Sequence, residues 1–171
     1  MKNLTKIAMI ALMVLGINSF ANAQILQDAN ATASTRIIAP ITIAKVNDMN
    51  FGNVYAGLGK VVLAPDGSRT VTELAVVSTS VAGTAASFTV GGESNYTFAI
   101  TMPVAAHTLT EVEGAAVMSV DAFTSSLGAT GTLDASGAAT FSVGASLNVA
   151  AAQIAGEYTN AAGFTVSVNY N

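Results

Sequence analysis

The chain of 171 residues contains no cysteine, no tryptophan, three prolines and a single histidine. Without cysteine it can form neither a disulfide nor a thiolate metal site. One histidine and no Gly-x-Ser-x-Gly motif argue against a serine nucleophile with a histidine base. Charged residues make up only 9% of the chain, against about a quarter in ordinary globular proteins, while hydrophobic residues make up 51%. The composition therefore excludes a disordered or coiled-coil chain and indicates a chain that packs.

The charge balance is acidic. Six lysines and arginines stand against ten aspartates and glutamates, which gives a net charge of −4. Such a chain presents no basic surface to nucleic acid or to anionic lipid. We therefore expect no nucleic-acid partner.

The first 23 residues have the three regions of a secretory signal peptide. Lys2 and Lys6 form a basic start, residues 7–17 are apolar, and residues 21–23, ANA, match a small-residue cleavage site. An apolar run of 11 residues is too short for a transmembrane helix, which needs about 20. We predict cleavage after Ala23, and hence an exported protein that passes through the periplasm to the cell surface or the medium.

Alternation of apolar and polar residues is the strongest pattern in the mature chain. It predicts strands at residues 88–90, 96–102, 141–149 and 164–170, and weaker strands at 108–111, 117–123 and 132–135. Two hairpins are expected, one joining 60–64 to 69–77 through the Pro-Asp-Gly-Ser turn at 65–68, and one joining 88–90 to 96–102. The weak strand at 132–135 should return through 136–137 into the 141–149 strand, and a short helical turn is the interpretation of 148–155. Turn signals at this spacing favour an all-β sandwich or barrel in one domain, residues 36–171.

Both ends of the mature chain alternate as well. At the C-terminus Phe164, Val166, Val168 and Tyr170 share one parity, and the chain ends one residue later. At the N-terminus small apolar residues occupy every second position of an extended segment, residues 24–35: Ala29, Ala31 and Ala33.

Four stretches resemble known families in their order along the chain. Residues 155–159, AGEYT, followed by 164–170, FTVSVNY, look like the closing strands of chaperone-usher pilins, closest to the archaic branch with spore coat protein U-like domains. Residues 49–54, MNFGNV, and 141–147, FSVGASL, also resemble an uncharacterised family of bacterial secreted β-domains.

The pilin resemblance implies an immunoglobulin-like antiparallel β-sandwich that lacks one strand. A neighbouring subunit supplies that strand, after a periplasmic chaperone has held the groove during export to an outer-membrane usher. On this reading residues 24–35 are the donor strand, with Ala29, Ala31 and Ala33 facing the groove, and the strand of Phe164, Val166, Val168 and Tyr170 is one groove edge. The alternative is that residues 24–35 are a frayed terminus.

Chemistry-bearing residues are few. His107, Glu111 and Glu113 could form a sparse metal site, but without a turn their spacing does not put all three on one strand face, so a solvated loop is the preferred interpretation. Carboxylate pairs of the glycosidase kind remain open among acids that mostly sit at turns or strand ends: Asp66, Glu73, Glu93, Asp121, Asp134 and Glu157. We predict that the protein is not an enzyme and has no catalytic, cofactor or metal residues and no small-molecule substrate.

Three functions follow from these patterns. The preferred one is a structural subunit of a surface fibre, a pilin-like fimbrial protein whose partners are copies of itself or related subunits. The second is a self-contained adhesin or binding sandwich of unknown ligand. The third is a small outer-membrane β-barrel, which the scarcity of aromatic residues disfavours.

Overall fold

The computed structural model describes residues 27–171. The predicted signal peptide and residues 24–26 of the predicted extension lie outside this range. The chain divides into two units, with the boundary between Arg36 and Ile37. Residues 27–35 form no strand and are exposed.

The second unit, Ile37–Asn171, consists of strands joined by turns. Thirteen strands occur in chain order: β1 Thr42–Asn47, β2 Val54–Tyr55, β3 Gly59–Leu63, β4 Arg69–Glu73, β5 Val76–Val77, β6 Ala86–Gly91, β7 Thr97–Thr101, β8 His107–Glu111, β9 Val117–Ser125, β10 Thr130–Thr132, β11 Ala138–Val149, β12 Tyr158–Thr159 and β13 Ser167–Tyr170. Residues 27–171 contain no helix, and so none that could cross a membrane.

The strands form three antiparallel sheets. The largest has eight strands in the order β1-β6-β11-β9-β8-β12, with β3 paired to the second half of β11 and β4 paired to β3. A three-stranded sheet has the order β10-β7-β13, and β2 pairs with β5. The prediction of an all-β, antiparallel sandwich is confirmed.

Two apolar clusters fill the interior, because the bulky residues of each strand lie on one parity. The first joins β6 and the start of β11 to the three-stranded sheet, and the stacked rings of Phe88 and Phe141 lie in it with centroids 5.4 Å apart. The second joins β3, β9 and the end of β11, and it includes Phe51 and Ala75. The long strand β11 runs through both clusters and connects them.

The predicted hairpin across residues 65–68 is confirmed. Strands β3 and β4 pair antiparallel, and the Asp66 carboxylate accepts hydrogen bonds from the backbone N–H and hydroxyl of Ser68. Gly67 has a φ of 85°, which favours a residue without a Cβ. The second strand is shorter than expected, because Glu73 takes a positive φ of 58° and ends β4.

The predicted hairpin between residues 88–90 and 96–102 is wrong. Strand β6 pairs with β1 and β11, whereas β7 pairs with β10 and β13. The intervening loop crosses from one sheet to the other, since its Gly92 and Asn95 N–H groups donate to Gly137 and Asp134 of a different turn. Both strands turn their apolar side chains into the same cluster, so they face each other across the core.

Two weaker expectations are also corrected. The strand predicted at 132–135 overlaps β10 only at Thr132, and β10 pairs with β7. The return through residues 136–137 into the next strand is confirmed, because Asp134 forms a turn that accepts hydrogen bonds from Ser136 and Ala138 and β11 begins at Ala138. Residues 148–155 form no helical turn. Strand β11 continues to Val149, and a single turn bond from Gln153 N–H to the Ala150 carbonyl follows.

Candidate functional site

Strand β13 is a free sheet edge. Within the described chain it pairs with β7 on one side and with no strand on the other. Its sequence, SVNY, contains no charge and no proline, and those are the usual devices that keep an edge from pairing with another chain. Among residues 27–171, therefore, nothing in the sequence of β13 supplies these protections.

The other long edges are protected. Strand β1 carries Lys45, which bonds Asp48 at 2.6 Å, and its pairing with β6 shifts register between Lys45 and Asn47. Strand β4 carries Arg69 and Glu73. Of the edge strands β1, β4 and β13, only β13 has neither a charged side chain nor a register shift.

The four predicted edge residues lie along this strand and the approach to it. Val166 is buried, and Phe164, Val168 and Tyr170 are half-buried. Only Val168 and Tyr170 are inside β13, because the hydrogen-bonded strand begins at Ser167. All four pack against the first cluster.

Across from them, Ile41 and Ile43 near the start of β1 are also half-buried and pack against that cluster. We call the strip formed by Ile41, Ile43, Phe164 and Val168 the β1–β13 margin. Each of these four side chains packs against the first cluster and keeps part of its surface exposed.

The Tyr170 hydroxyl ties β13 to the start of β1. It donates to the Ala39 carbonyl at 2.8 Å and accepts from the Glu93 N–H at 2.7 Å. The Ala39 N–H in turn donates to the Glu93 carboxylate at 3.0 Å. Gly92 leaves the space that the phenol needs, since a Cβ there would clash with the hydroxyl. We call this group the latch.

The predicted donor residues lie in the other unit. Ala29, Ala31 and Ala33 are exposed and belong to no strand. Within one copy, therefore, they pair with no strand.

The two ends of the sandwich differ. At the end that holds the latch, which we call the latch pole, β1 begins opposite Gly91 and β13 ends opposite Phe98. At the opposite end β1 finishes opposite Ser87, and β13 begins opposite Thr101.

A cleft of about 880 Å³ opens at this second end, which we call the cleft pole. Residues 48–56, which follow β1, form one wall, and residues 153–164, which lead into β13, form another. The apolar residues in the cleft include Leu109, Met118, Val120, Phe123 and Phe164, and the polar ones include Asp48, Asn53, Glu157 and Asn160. Nothing in the sequence pattern predicted this cleft, since its walls come from separate segments.

His107 lines the cleft and contacts aromatic rings. Its ring centroid lies 5.6 Å from Phe123 and 6.4 Å from Phe164. The solvated loop expected at His107 is wrong, because this residue begins β8 and is half-buried. Residues 27–171 hold no group of three side chains placed to bind a metal.

Arg69 fastens one wall of the cleft, and the sequence patterns missed it. Its guanidinium donates to the carbonyls of Phe51, Ser78 and Val81 at 2.7, 2.6 and 2.9 Å. Five donors in a rigid plane suit an arginine to bridging several carbonyls. The side chain thereby holds the segment that begins at Phe51 against β4.

Two turn carboxylates have altered acidity. The side-chain hydrogen bond from Ser68 holds the pKa of Asp66 below its usual value of 3.8. The pKa of Asp134 is lowered in the same way, first by the Ser136 side chain and then by the Ala138 N–H. Both act as turn formers, and neither lies in the cleft.

A family model described as a domain of unknown function, DUF4402, matches residues 41–170. The chain belongs to this family. The matched region contains every strand from β1 to β13 and excludes the extension. No curated protein and no solved structure shows a significant match. The resemblance to an uncharacterised domain family is thus confirmed.

Proposed function

We propose that the protein is a structural subunit of a surface fibre, in which the N-terminal extension of one copy adds as a strand to β13 of the next. The observation that carries the proposal is the free, uncharged edge of β13 beside half-buried apolar side chains. In strand addition, backbone hydrogen bonds supply affinity and alternate side chains supply register. An added strand would give β13 a second partner and cover the β1–β13 margin.

The extension has the length and the side chains for this role. Twelve residues at about 3.3 Å each span roughly 40 Å, more than the roughly 23 Å of the seven residues from Phe164 to Tyr170. The side chains that would face the β1–β13 margin, Ala29, Ala31 and Ala33, are small and apolar, which suits a margin whose own side chains are already half-buried.

The proposal carries its finer features from the pilin and spore coat protein U resemblance. These are an immunoglobulin-like sandwich that lacks one strand, export through the periplasm, a chaperone and an usher as partners, and assembly at the cell surface. A head-to-tail contact that does not close on itself propagates into a filament.

Cysteine trapping tests the proposal cleanly, because the chain has no cysteine of its own. The full chain with Val168→Cys is mixed under oxidising conditions with full chains that carry one cysteine at Ala29, Ala31 or Ala33. Because the cysteines start in different copies, any mixed disulfide is intermolecular. We expect at least one of the three pairs to cross-link.

The matched controls carry one cysteine at Asn30, Thr32 or Ser34, on the opposite parity of the extension. In a strand added to β13 these side chains point away from Val168. Equal cross-linking of both sets, or of neither, would refute strand addition.

The cleft favours a second candidate, a self-contained binding domain at the cell surface. Its volume lies in the range of small-molecule sites. This alternative predicts a stable monomer in which neither set of extension cysteines reaches Val168.

A further inference from the structure

Bulky apolar residues are exposed at the latch pole. Ile37 is 91% exposed and Ile38 is 37% exposed. They directly precede Ala39, whose carbonyl is held by the Tyr170 hydroxyl. The chain therefore leaves the sandwich at this pole with two isoleucines at its base.

The cleft pole offers complementary apolar surface. The cleft has Met118, Phe123 and Phe164 among its lining residues. Val104, which is 100% exposed, lies in the loop between β7 and β8, and the next strand begins at His107 in the cleft. Large apolar groups are thus exposed at both poles of one molecule.

The direction of the added strand connects the two poles. Strand β1 runs from the latch pole to the cleft pole, and β13 runs back. In an extended fibre, the extension leaves one sandwich at its latch pole and enters the next from the cleft pole. Residue 36 then lies at the cleft pole of the acceptor and the extension runs towards it from the latch pole, so the added strand is antiparallel to β13.

We infer that Ile37 and Ile38 of one copy occupy the cleft of the next copy. The inference rests on the proposed function and extends it, because it makes the cleft a second contact between successive subunits. The extension then fills the narrow β1–β13 margin with alanines, and the isoleucines at its base fill the wider space beyond Phe164.

Charge agrees with this placement. Asp48 and Glu157 line the cleft, and Arg36 directly precedes Ile37. Docking therefore brings a positive side chain to a surface that carries Glu157 as well as the Asp48 that pairs with Lys45, and opposite charges across an interface favour encounter and register. Because the two surfaces differ, the contact is head-to-tail, and such a contact extends a fibre when it does not close on itself.

A second pair of cysteine traps locates the contact. The full chain with Ile37→Cys is mixed with full chains that carry Asn53→Cys or Glu157→Cys, on the two walls of the cleft. We expect a mixed disulfide with at least one of them. The control replaces Ile37→Cys by Leu74→Cys, because Leu74 is 74% exposed and does not line the cleft.

Polar substitution measures the strength of the contact. Removal of one buried isoleucine from an apolar site costs more than the free energy that corresponds to a tenfold change in affinity. We expect Ile37→Asn to lower the association constant between copies about tenfold or more in sedimentation, and Leu74→Asn to change it less than about threefold.

The outcomes separate this inference from the proposed function. If the alanine cysteines trap Val168→Cys but Ile37→Cys traps neither cleft wall, strand addition stands and the cleft contact is wrong. Loss of both kinds of trap refutes both. An Ile37→Asn chain that assembles as well as the unchanged chain overturns the inference and leaves the cleft to a free ligand or another protein.

Discussion

The two long sides of the sandwich, β3–β4 and β1–β13, share the same alternation of apolar and polar residues but bury their apolar residues to different extents. On the β3–β4 side, Val61 and Leu63 have no exposed surface, Phe51 and Ala75 are buried in the second cluster, and Arg69 joins two segments by donating to Phe51 in one and to Ser78 and Val81 in the other. On the β1–β13 side the apolar residues stay half-buried, and the bond from Tyr170 to Ala39 ties the two strands at one end only. The comparison teaches that, within residues 37–171, the apolar residues of one side are buried where a polar side chain joins its segments by three hydrogen bonds, and stay half-buried where the two strands are tied at one end only.

The largest expected effect comes from core truncation on the β3–β4 side. Leu63→Ala should lower the free energy of unfolding by about 2–5 kcal/mol, because it leaves a cavity in a fully buried site. Val168→Ala on the β1–β13 side should cost only about 1 kcal/mol, since its side chain is half-buried before the change. Urea unfolding at a concentration where the chain is monomeric measures both, and equal costs would contradict the contrast between the sides.

Loss of the fastening residue should be next in size. Arg69→Met keeps much of the apolar stem and removes three hydrogen bonds, so we expect a loss of about 2–3 kcal/mol. Hydrogen exchange should rise in residues 51–56, which the guanidinium no longer holds. Lys60→Met, at an exposed position of the neighbouring strand, is the control and should change stability by less than about 0.5 kcal/mol.

The latch should have a smaller effect. Tyr170→Phe retains the ring and removes the hydroxyl that bonds Ala39 and Glu93, which should cost about 1–2 kcal/mol in the same unfolding measurement. Tyr55→Phe, whose side chain is 60% exposed, should be nearly neutral. If the two variants behave alike, the latch does not hold the β1–β13 side.

The smallest expected effect is a change in stability at low pH. Because hydrogen bonds lower the folded-state pKa values of Asp66 and Asp134 below 3.8, their contribution to stability is present above about pH 4 and is lost as the pH falls through the folded values. Asp134→Asn should therefore reduce the decline of the unfolding midpoint below pH 4. Glu113→Gln in the exposed β8–β9 turn is the control, and an unchanged acid profile for Asp134→Asn would rule out this contribution.

Local chemistry predicted some elements well. The Pro-Asp-Gly-Ser turn specified the β3–β4 hairpin, because its bonds form within four residues. The alternation from Phe141 to Val149 predicted most of β11 for a similar reason, since period two depends only on the pleat. The 91–95 loop misled, because Gly and Asn suit both a hairpin and a crossing between sheets.

The candidate site was predicted only in part. Alternation predicted a shared face for Phe164, Val166, Val168 and Tyr170. A shared face occurs in central strands and in edge strands alike, so the pattern did not predict that β13 is an edge. Arg69 and the cleft had no local signal, because their contacts join residues far apart in the chain. Only the folded chain brings these residues together.

By itself the sequence determined the strand periodicity, the acidic and cysteine-free character of the chain, and the small side chains of its extension. These properties depend on neighbouring residues and on composition. The tertiary structure decided which strands pair, that β13 has one free edge, that Arg69 joins two segments on the β3–β4 side, and that a cleft opens at the pole opposite the latch. These depend on which distant segments meet, and the free energy that selects those meetings comes from shared burial and not from any one segment.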